Sequence, residues 1–240
     1  DSSLTAGPRG LIVTGDTLLG GTSEVFQGEG AYQLQGDLEF KGSATLTQGY
    51  APISVVGDIH MDSNTTIEAS ETTETRTGKI DVSSRNIYIS NGAVIDASEK
   101  GFPARTFWGY QTWAESSAQG GSHGGMGGTQ STSSTTNPAY GNLFHPDTPG
   151  AGGSYGVGGG VVHLTVDETL TVNGEILANA QSNSGSGAGG SILIHTDILS
   201  GQGSIRADGG SYTSTNQCGG SGGRIAIKGY SVTTGAFAPE

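Results

Sequence analysis

The stretch GGVVHLTVDETLTVNGEILANAQSNSGSGAGGSILIHTDILSGQGSIRADGGSYTSTNQCGGSGGRIAIKGY, residues 159–230, repeats one short pattern nearly three times. Each copy opens on two glycines and continues with a run in which hydrophobic residues alternate, as at Val162 and Leu164. A second alternating run and a glycine turn follow, and the third run ends in hydrophobic-x-Ala, as at Ile176 and Ala178. Short alternating runs bounded by Gly and Asn predict short strands. Three such strands in each repeating unit are typical of a β-solenoid.

The same unit extends backwards to a degenerate first copy at Leu11, Leu18 and Val25. The first strands of the later copies begin near residues 32, 53, 80, 162, 192 and 225. Parallel crossovers are almost always right-handed, and stacked strands lie about 4.8 Å apart. The sequence therefore predicts an all-β fold, a right-handed parallel β-helix with three strands per rung and about seven rungs, as a single domain over residues 1–240.

Extra residues enter almost always after the third strand of a copy. These insertions are residues 47–51, 70–78, 98–160, 179–190 and 208–223. Insertions at one point of a stacked repeat emerge along one edge. We therefore expect one continuous loop surface, with the Gly- and aromatic-rich loop insertion at 98–160 near its middle.

Composition excludes several classes of partner. The chain has a formal net charge of −12 and ten Lys and Arg residues, which lie scattered. Nucleic acid binding needs clustered cations, so no nucleic acid partner is expected. No run of eighteen apolar residues is present, so no membrane span is expected. The single cysteine, Cys218, excludes an intramolecular disulfide framework.

Glycine-rich segments carry a resemblance to a known class of proteins. They are GGSHGGMGG (120–128), YGNLFHPDTPGAGG (140–153), GGGVVHLTV (158–166), GGSILI (189–194) and GGSGGRIAI (219–227). Together they resemble secreted right-handed parallel β-helix proteins, the superfamily of pectate-lyase-like enzymes and many adhesins, and within it a Gly-rich module of large surface proteins. The resemblance implies a secreted, extracellular or cell-surface location and a segment of a longer chain. It supplies no catalytic residues.

The 98–160 insertion holds half of the aromatic residues, and long loops of this kind are usually functional. Aromatic rings stack on sugar faces, and Asp and His bind sugar hydroxyls. The candidate glycan-binding residues are Arg105, Trp108, Tyr110, Trp113, His123, Tyr140, His145 and Asp147. The alternative is that aromatic residues anchor the loop against the strands, above all Phe102, Phe107 and Phe144.

The histidines also leave alternatives open. His123 either joins neighbouring loops through hydrogen bonds or faces a ligand. His60, His163 and His195 lie at outward positions of their strands, where we expect them to face solvent.

The first functional hypothesis is an extracellular, non-catalytic module of an adhesin-like or fibre-like protein, whose loop edge contacts a polysaccharide, a cell-surface glycan or a protein. The alternative is a polysaccharide lyase or glycosidase with its cleft walled by 98–160. A lyase needs a base and a cation, and a glycosidase needs paired carboxylates, but no spacing links such residues here.

A second alternative is a self-assembling structural solenoid. The hydrophobic pattern continues to the last residues of the chain, so we expect neighbouring domains or subunits at the solenoid ends. No cofactor is expected, although loop Asp side chains and carbonyls leave a structural Ca²⁺ ion open.

Overall fold

The computed structural model describes residues 3–5, 10–107, 111–112, 119–130, 137–212, 218–229 and 231–232. Residues 3–5, 111–112 and 231–232 are described by their backbone alone. Within these ranges the chain is all-β and contains no helix. The predicted fold class is confirmed at this level.

The third strands of successive copies form a seven-stranded parallel sheet in the order β1–β4–β7–β10–β13–β17–β19. Its members are β1 (Ser3–Thr5), β4 (Glu24–Phe26), β7 (Thr45–Gln48), β10 (Thr66–Ala69), β13 (Val94–Asp96), β17 (Glu175–Leu177) and β19 (Ser204–Arg206). Equivalent residues stay in register from copy to copy, so that Ile67 lies between Leu46 and Ile95. Strand β1 was not predicted from the sequence.

The first and second strands together form a twelve-stranded parallel sheet. The first strands are β2 (Leu11–Val13), β5 (Tyr32–Leu34), β8 (Ile53–Val55), β11 (Lys79–Ser84) and β20 (Arg224–Lys228). The second strands are β3 (Thr17–Leu19), β6 (Leu38–Phe40), β9 (Asp58–Met61), β12 (Asn86–Ile89) and β21 (Ser231–Val232). In two later copies both merge into the long strands β16 (Val161–Val172) and β18 (Ser191–Ser200), which is why the two rows belong to one sheet. The predicted strand positions are confirmed.

One hydrophobic cluster runs through the copies between the two sheets. Because side chains alternate along each strand, every second residue points inward and stacks on its equivalent in the next copy. Phe40, Met61, Ile89 and Val172 form one such column and are all fully buried. The alanines that end the third strands, such as Ala97, are buried as well.

An aspartate ladder supports the bend between the first and second strands. The backbone N–H of Asp37 donates to Asp16 Oδ1 at 3.0 Å, and that of Asp58 donates to Asp37 Oδ1 at 2.8 Å. Asn86 takes the next place: its amide nitrogen donates to Asp58 Oδ1 at 2.9 Å, and its amide oxygen accepts from the backbone N–H of Thr169 at 2.9 Å. The guanidinium of Arg85, hydrogen-bonded to Asp58, lowers the pKa of that carboxyl. Asp58, the last carboxylate of the stack, is therefore hydrogen-bonded to the cation of Arg85 and to the neutral amide of Asn86.

The described part of the 98–160 insertion packs as extended glycine-rich segments against later loops. In segment 185–190, a backbone carbonyl accepts a hydrogen bond from the N–H of Gly121 at 2.9 Å. The N–H of Gly189 donates to the carbonyl oxygen of Ser221 at 3.0 Å. Its Ala188 donates to Ala151 O at 2.8 Å and accepts from Gly159 N–H at 2.9 Å. It therefore bonds to four neighbouring segments, whereas a strand within a sheet bonds to two. We call the segments 119–124, 149–153, 156–160, 185–190 and 218–223 the glycine layer.

Glycine is required at many positions of this layer because there is no space for a side chain there. A Cβ built on Gly187 would overlap the carbonyl oxygen of Val157, and one built on Gly220 would overlap that of Gly187. Neither residue has a positive φ, so the requirement is steric. The insertion is thus held by backbone hydrogen bonds between segments that touch directly.

We predict that Gly220→Ala lowers the free energy of unfolding by about 1–3 kcal/mol, the usual cost of overpacking. Urea unfolding followed by circular dichroism measures this change. Gly222→Ala is the matched control, because a Cβ at Gly222 meets nothing within 4 Å. Equal stability of the two variants would contradict the steric role of the layer.

Candidate functional site

Loops that follow successive third strands meet on one flank and form a groove. Residues 72–77 and 147–149, with Phe102, line a depression of about 390 Å³. A second depression of about 250 Å³ shares Arg76 and Thr77 with the first and extends to Tyr50 and Asp81. We call the two depressions together the flank groove. It joins short loops of the repeat to the end of the long insertion.

Three successive loops fix the aromatic residue of the flank groove. The guanidinium of Arg76 forms a two-pronged ion pair with Glu29, one N–O distance of which is 2.6 Å. The same guanidinium lies 4.8 Å from the centre of the Tyr50 ring. The Tyr50 hydroxyl donates to the carbonyl of Glu71 at 3.1 Å, and the residue is 40% exposed. Tyr50 is therefore a partly open ring held in one orientation.

Asp81 lines the second depression within a network of hydrogen-bonded groups. It forms an ion pair with Lys79 Nζ at 2.8 Å, and its Oδ1 lies 3.3 Å from His163 Nδ1. The fully buried Gln48 accepts from the Asp81 backbone N–H at 3.0 Å. Burial alone would raise the pKa of the Asp81 carboxyl, but its bonds to His163 and Lys79 outweigh burial and lower the pKa to about 2. Asp81 is therefore an anion at neutral pH.

The other depression presents carboxylates and hydroxyls. Glu74 and Asp147 are exposed and form no ion pair with other residues that the structure describes. Thr72 is buried and donates to the carbonyl of Lys100 at 2.6 Å, which ties the loop to its neighbour. The flank groove therefore offers hydrogen-bond acceptors, donors and one aromatic ring on a rigid support, which suits a ligand rich in hydroxyl groups.

The predicted glycan-binding residues are spread over different places. Asp147 lines the flank groove, and the exposed ring of His145 lies 6.3 Å from that of His163, the partner of Asp81. Arg105 does not line the groove. Its guanidinium lies 5.6 Å from the ring of Tyr155. Trp108, Tyr110 and Trp113 lie outside the described residues, so their predicted role stays a prediction.

His123 and Tyr140 are placed together in the interior, with ring centres 5.0 Å apart. His123 is fully buried; its Nδ1 lies 2.7 Å from Gly189 O and its Nε2 3.1 Å from Thr148 Oγ1. Burial lowers the pKa of His123 to about 4, and the nearby Arg224 acts in the same direction. Burial also raises the pKa of Tyr140, whose hydroxyl donates to Pro149 O at 2.6 Å. His123 thus makes the loop-joining hydrogen bonds that one of its two interpretations expects.

The expectation that three strand histidines simply face solvent is wrong in part. All three point outward, but His60 stacks on Tyr88 with ring centres 4.8 Å apart. His163 and His195 are half-buried, with ring centres 6.0 Å apart. They are covered because the insertion folds back over their face of the sheet.

The anchoring interpretation of the aromatic residues applies to some of them. Phe102 is buried, whereas Phe144 is 77% exposed and does not anchor the loop. Phe107 is partly buried and lies in the short strand β14 (Thr106–Phe107), which pairs antiparallel with β15 (Gln111–Thr112).

Sequence reasoning missed Tyr50, Arg76, Lys79 and Asp81. The predicted loop edge includes residues 47–51 and 70–78, and this was the one available signal. No spacing pattern connects Glu29 with Arg76 or Asp81 with His163, because these pairs join different copies of the repeat.

Among the described residues, no group of three or more His, Cys, Asp or Glu side chains is arranged to hold a metal ion. The same residues include no helix long and apolar enough to cross a membrane. Comparison of the chain with family models, with curated proteins and with solved structures finds no match.

We predict that Asp81→Asn lowers the free energy of unfolding at neutral pH by about 1 kcal/mol, a modest value because the ion pairs are partly exposed. The folded-state pKa of Asp81 is lowered from 3.8 to about 2, so its contribution is present above pH 3.8 and is lost as the pH falls towards 2. Urea unfolding between neutral pH and pH 2 should therefore show a shallower acid-induced loss in the variant.

Asp208→Asn is the control, because its ion pair with Arg206 is about half exposed on both sides. We expect it to change stability by less than about 0.5 kcal/mol. Parallel pH profiles of wild-type protein and Asp81→Asn would contradict the role assigned to Asp81.

Proposed function

We propose that the chain is a right-handed parallel β-helix and acts as a non-catalytic, extracellular binding module whose flank groove binds a glycan. The observation that supports this proposal is the flank groove, which Tyr50, Asp81 and Asp147 line from loops and strands that are already fixed in place. The adhesin-like role and the resemblance to secreted β-helix proteins belong to this proposal.

The pairing of strands supports the β-helix assignment. Each strand of one copy pairs in parallel with the equivalent strand of the next, as β8 pairs with β5 and with β11. Parallel neighbours of this kind need a crossover connection, and such crossovers are right-handed in nearly all proteins. Three strands per copy then wind as a three-sided helix, with the loops after each third strand on one edge.

The chemistry of the flank groove supports a glycan as the ligand. A partly exposed aromatic ring offers an apolar face, while carboxylates and hydroxyls around it bind sugar hydroxyl groups. The groove residues are held by ion pairs and buried amides, so little conformational entropy is lost on binding. Shallow, preformed polar surfaces of this type suit recognition of an extended polymer.

The arrangement favours binding over catalysis. Of the residues that a lyase mechanism would draw on, His123 is buried and Tyr140 is half-buried beside it, and both bond to protein partners. The cations of the flank groove, Arg76 and Lys79, are each paired with a carboxylate. A lyase needs a base and a cation at the substrate. Among its described residues, the flank groove presents no cation that is free of a carboxylate partner.

The proposal is tested by measuring binding to a panel of neutral, amino and uronate polysaccharides by isothermal titration calorimetry. We expect binding to at least one, and Tyr50→Ala should weaken it about tenfold through loss of the stacking face. Tyr212→Ala is the matched control, because Tyr212 is 41% exposed, like Tyr50 at 40%, and does not line the groove.

Absence of binding to every polysaccharide, or equal effects of the two Tyr substitutions, would overturn the proposed site. Release of an unsaturated uronate product from any polysaccharide, followed by its ultraviolet absorbance, would overturn the non-catalytic assignment.

A further inference from the structure

Residues 137–149 of the insertion lie across the outward face of the twelve-stranded sheet, and we call them the latch segment. They attach through few side chains. Ser191 Oγ donates to Thr148 O at 2.6 Å, and the guanidinium of Arg224 donates to Tyr140 O at 3.0 Å. His123, from the glycine layer, contacts Thr148 through its ring. Val161 and Leu193 point outward from their strands yet are buried on this covered face.

The buried ring of His123 favours one charge state in these contacts. Gly189 O only accepts, so Nδ1 carries the proton and donates. In the neutral ring, Nε2 then accepts from the hydroxyl of Thr148. A second proton would reverse this bond, so that Nε2 donates to the hydroxyl oxygen of Thr148, but it would also place a cation in a fully buried position beside Arg224. The cost of that buried charge favours the neutral imidazole in the closed arrangement.

Three further histidines meet at the other end of the latch segment. His145 of the segment lies over His163 of β16, with ring centres 6.3 Å apart, and His163 lies 6.0 Å from His195 of β18. The charged groups around them come from two strands. Strand β11 supplies Asp81, which contacts His163, and Lys79, which pairs with Asp81. Strand β20 supplies Lys228, which lies next to His195. His145 is thus the second point at which the segment meets the strands.

We propose that the latch segment is an acid-released latch, held on the sheet at neutral pH by the neutral form of the buried His123, which contacts Thr148 and Tyr140 of the segment. Protonation of this ring frees residues 137–149 from the sheet. The segment supplies Asp147, Thr148 and Pro149 to the flank groove, so release dismantles one wall of that groove. The effect on glycan binding rests on the proposed function, whereas release itself does not.

The pKa values agree with this geometry in direction. Burial lowers the pKa of His123 from 6.5 to about 4, and Arg224 is its charged neighbour. Burial also lowers the pKa of His195, with Lys228, His163 and His145 acting in the same direction. A depressed histidine pKa favours the closed form above pH 6.5, and this advantage is lost as the pH falls towards 4. For His123 alone the opening equilibrium should shift by on the order of 10²-fold across that window.

Hydrogen exchange measured by mass spectrometry, corrected for the intrinsic pH dependence of exchange, tests the proposal on the full chain. We expect residues 137–149 and the strands beneath them to lose protection between pH 6.5 and 4, while residues 53–69 keep theirs. Persistent protection of the latch segment at pH 4 would overturn the proposal.

One variant and two controls test the role of His123. In His123→Asn the amide nitrogen replaces the Nδ1 donor without titrating, so the loss of protection should become several-fold smaller. His145→Gln changes an exposed residue at the other end of the segment, and it should fold normally and release as wild type does. His60→Asn, which alters the stack on Tyr88 away from the segment, should behave as wild type. Equal release profiles in all four proteins would refute a histidine-controlled latch.

Isothermal titration calorimetry distinguishes failure of this inference from failure of the proposed function. With a polysaccharide identified at neutral pH, binding should fall over the same pH window in wild type and less in His123→Asn. If no polysaccharide binds, the proposed function fails, while hydrogen exchange still decides whether the latch exists.

Discussion

Direct contact between peptide groups in the glycine layer is the constraint on which the rest of the structure depends. Segment 185–190 bonds to four neighbouring segments, an arrangement that leaves no room for a Cβ at Gly187, Gly189 or Gly190. Buried peptide groups must be hydrogen-bonded, and here most of these bonds join backbone to backbone. The described glycine-rich parts of the insertion are held in this way, since their backbone groups are satisfied by neighbouring loops.

The flank groove and the latch segment both rely on this layer. The short loops of the repeat carry Tyr50, Arg76 and Asp81, and the strands hold these residues in place. The opposite wall, residues 147–149, leads directly into the glycine layer at Gly150. The groove therefore lies where a regular stacked sheet meets a bundle of glycine segments. Its two walls therefore have different supports.

The strands and the loop edge could be predicted from the sequence because inward residues alternate with period two in every copy. The glycine layer could not, since glycine is ordinarily a sign of turns, and its bonds join residues far apart in the chain. The aspartate ladder left a visible trace in the Gly–Asp pairs at 15–16, 36–37 and 57–58, but its hydrogen bonds need the stacked register. Of the candidate site, Asp147 and His145 were identified, whereas Tyr50, Arg76 and Asp81 were not, because their partners lie in other copies.

The hydrogen bonds of the glycine layer also impose an order on folding. Residues 11–97 pair with one another, apart from contacts at their last copy, so this half can assemble from contacts between adjacent copies. The segment 119–124 also donates from Gly121 to the carbonyl of Ser186 and from Gly124 to the carbonyl of Gly222, and both acceptors leave the ribosome later. Contacts of such long sequence separation form slowly. These hydrogen bonds of the insertion can therefore form only after the later copies have been synthesised.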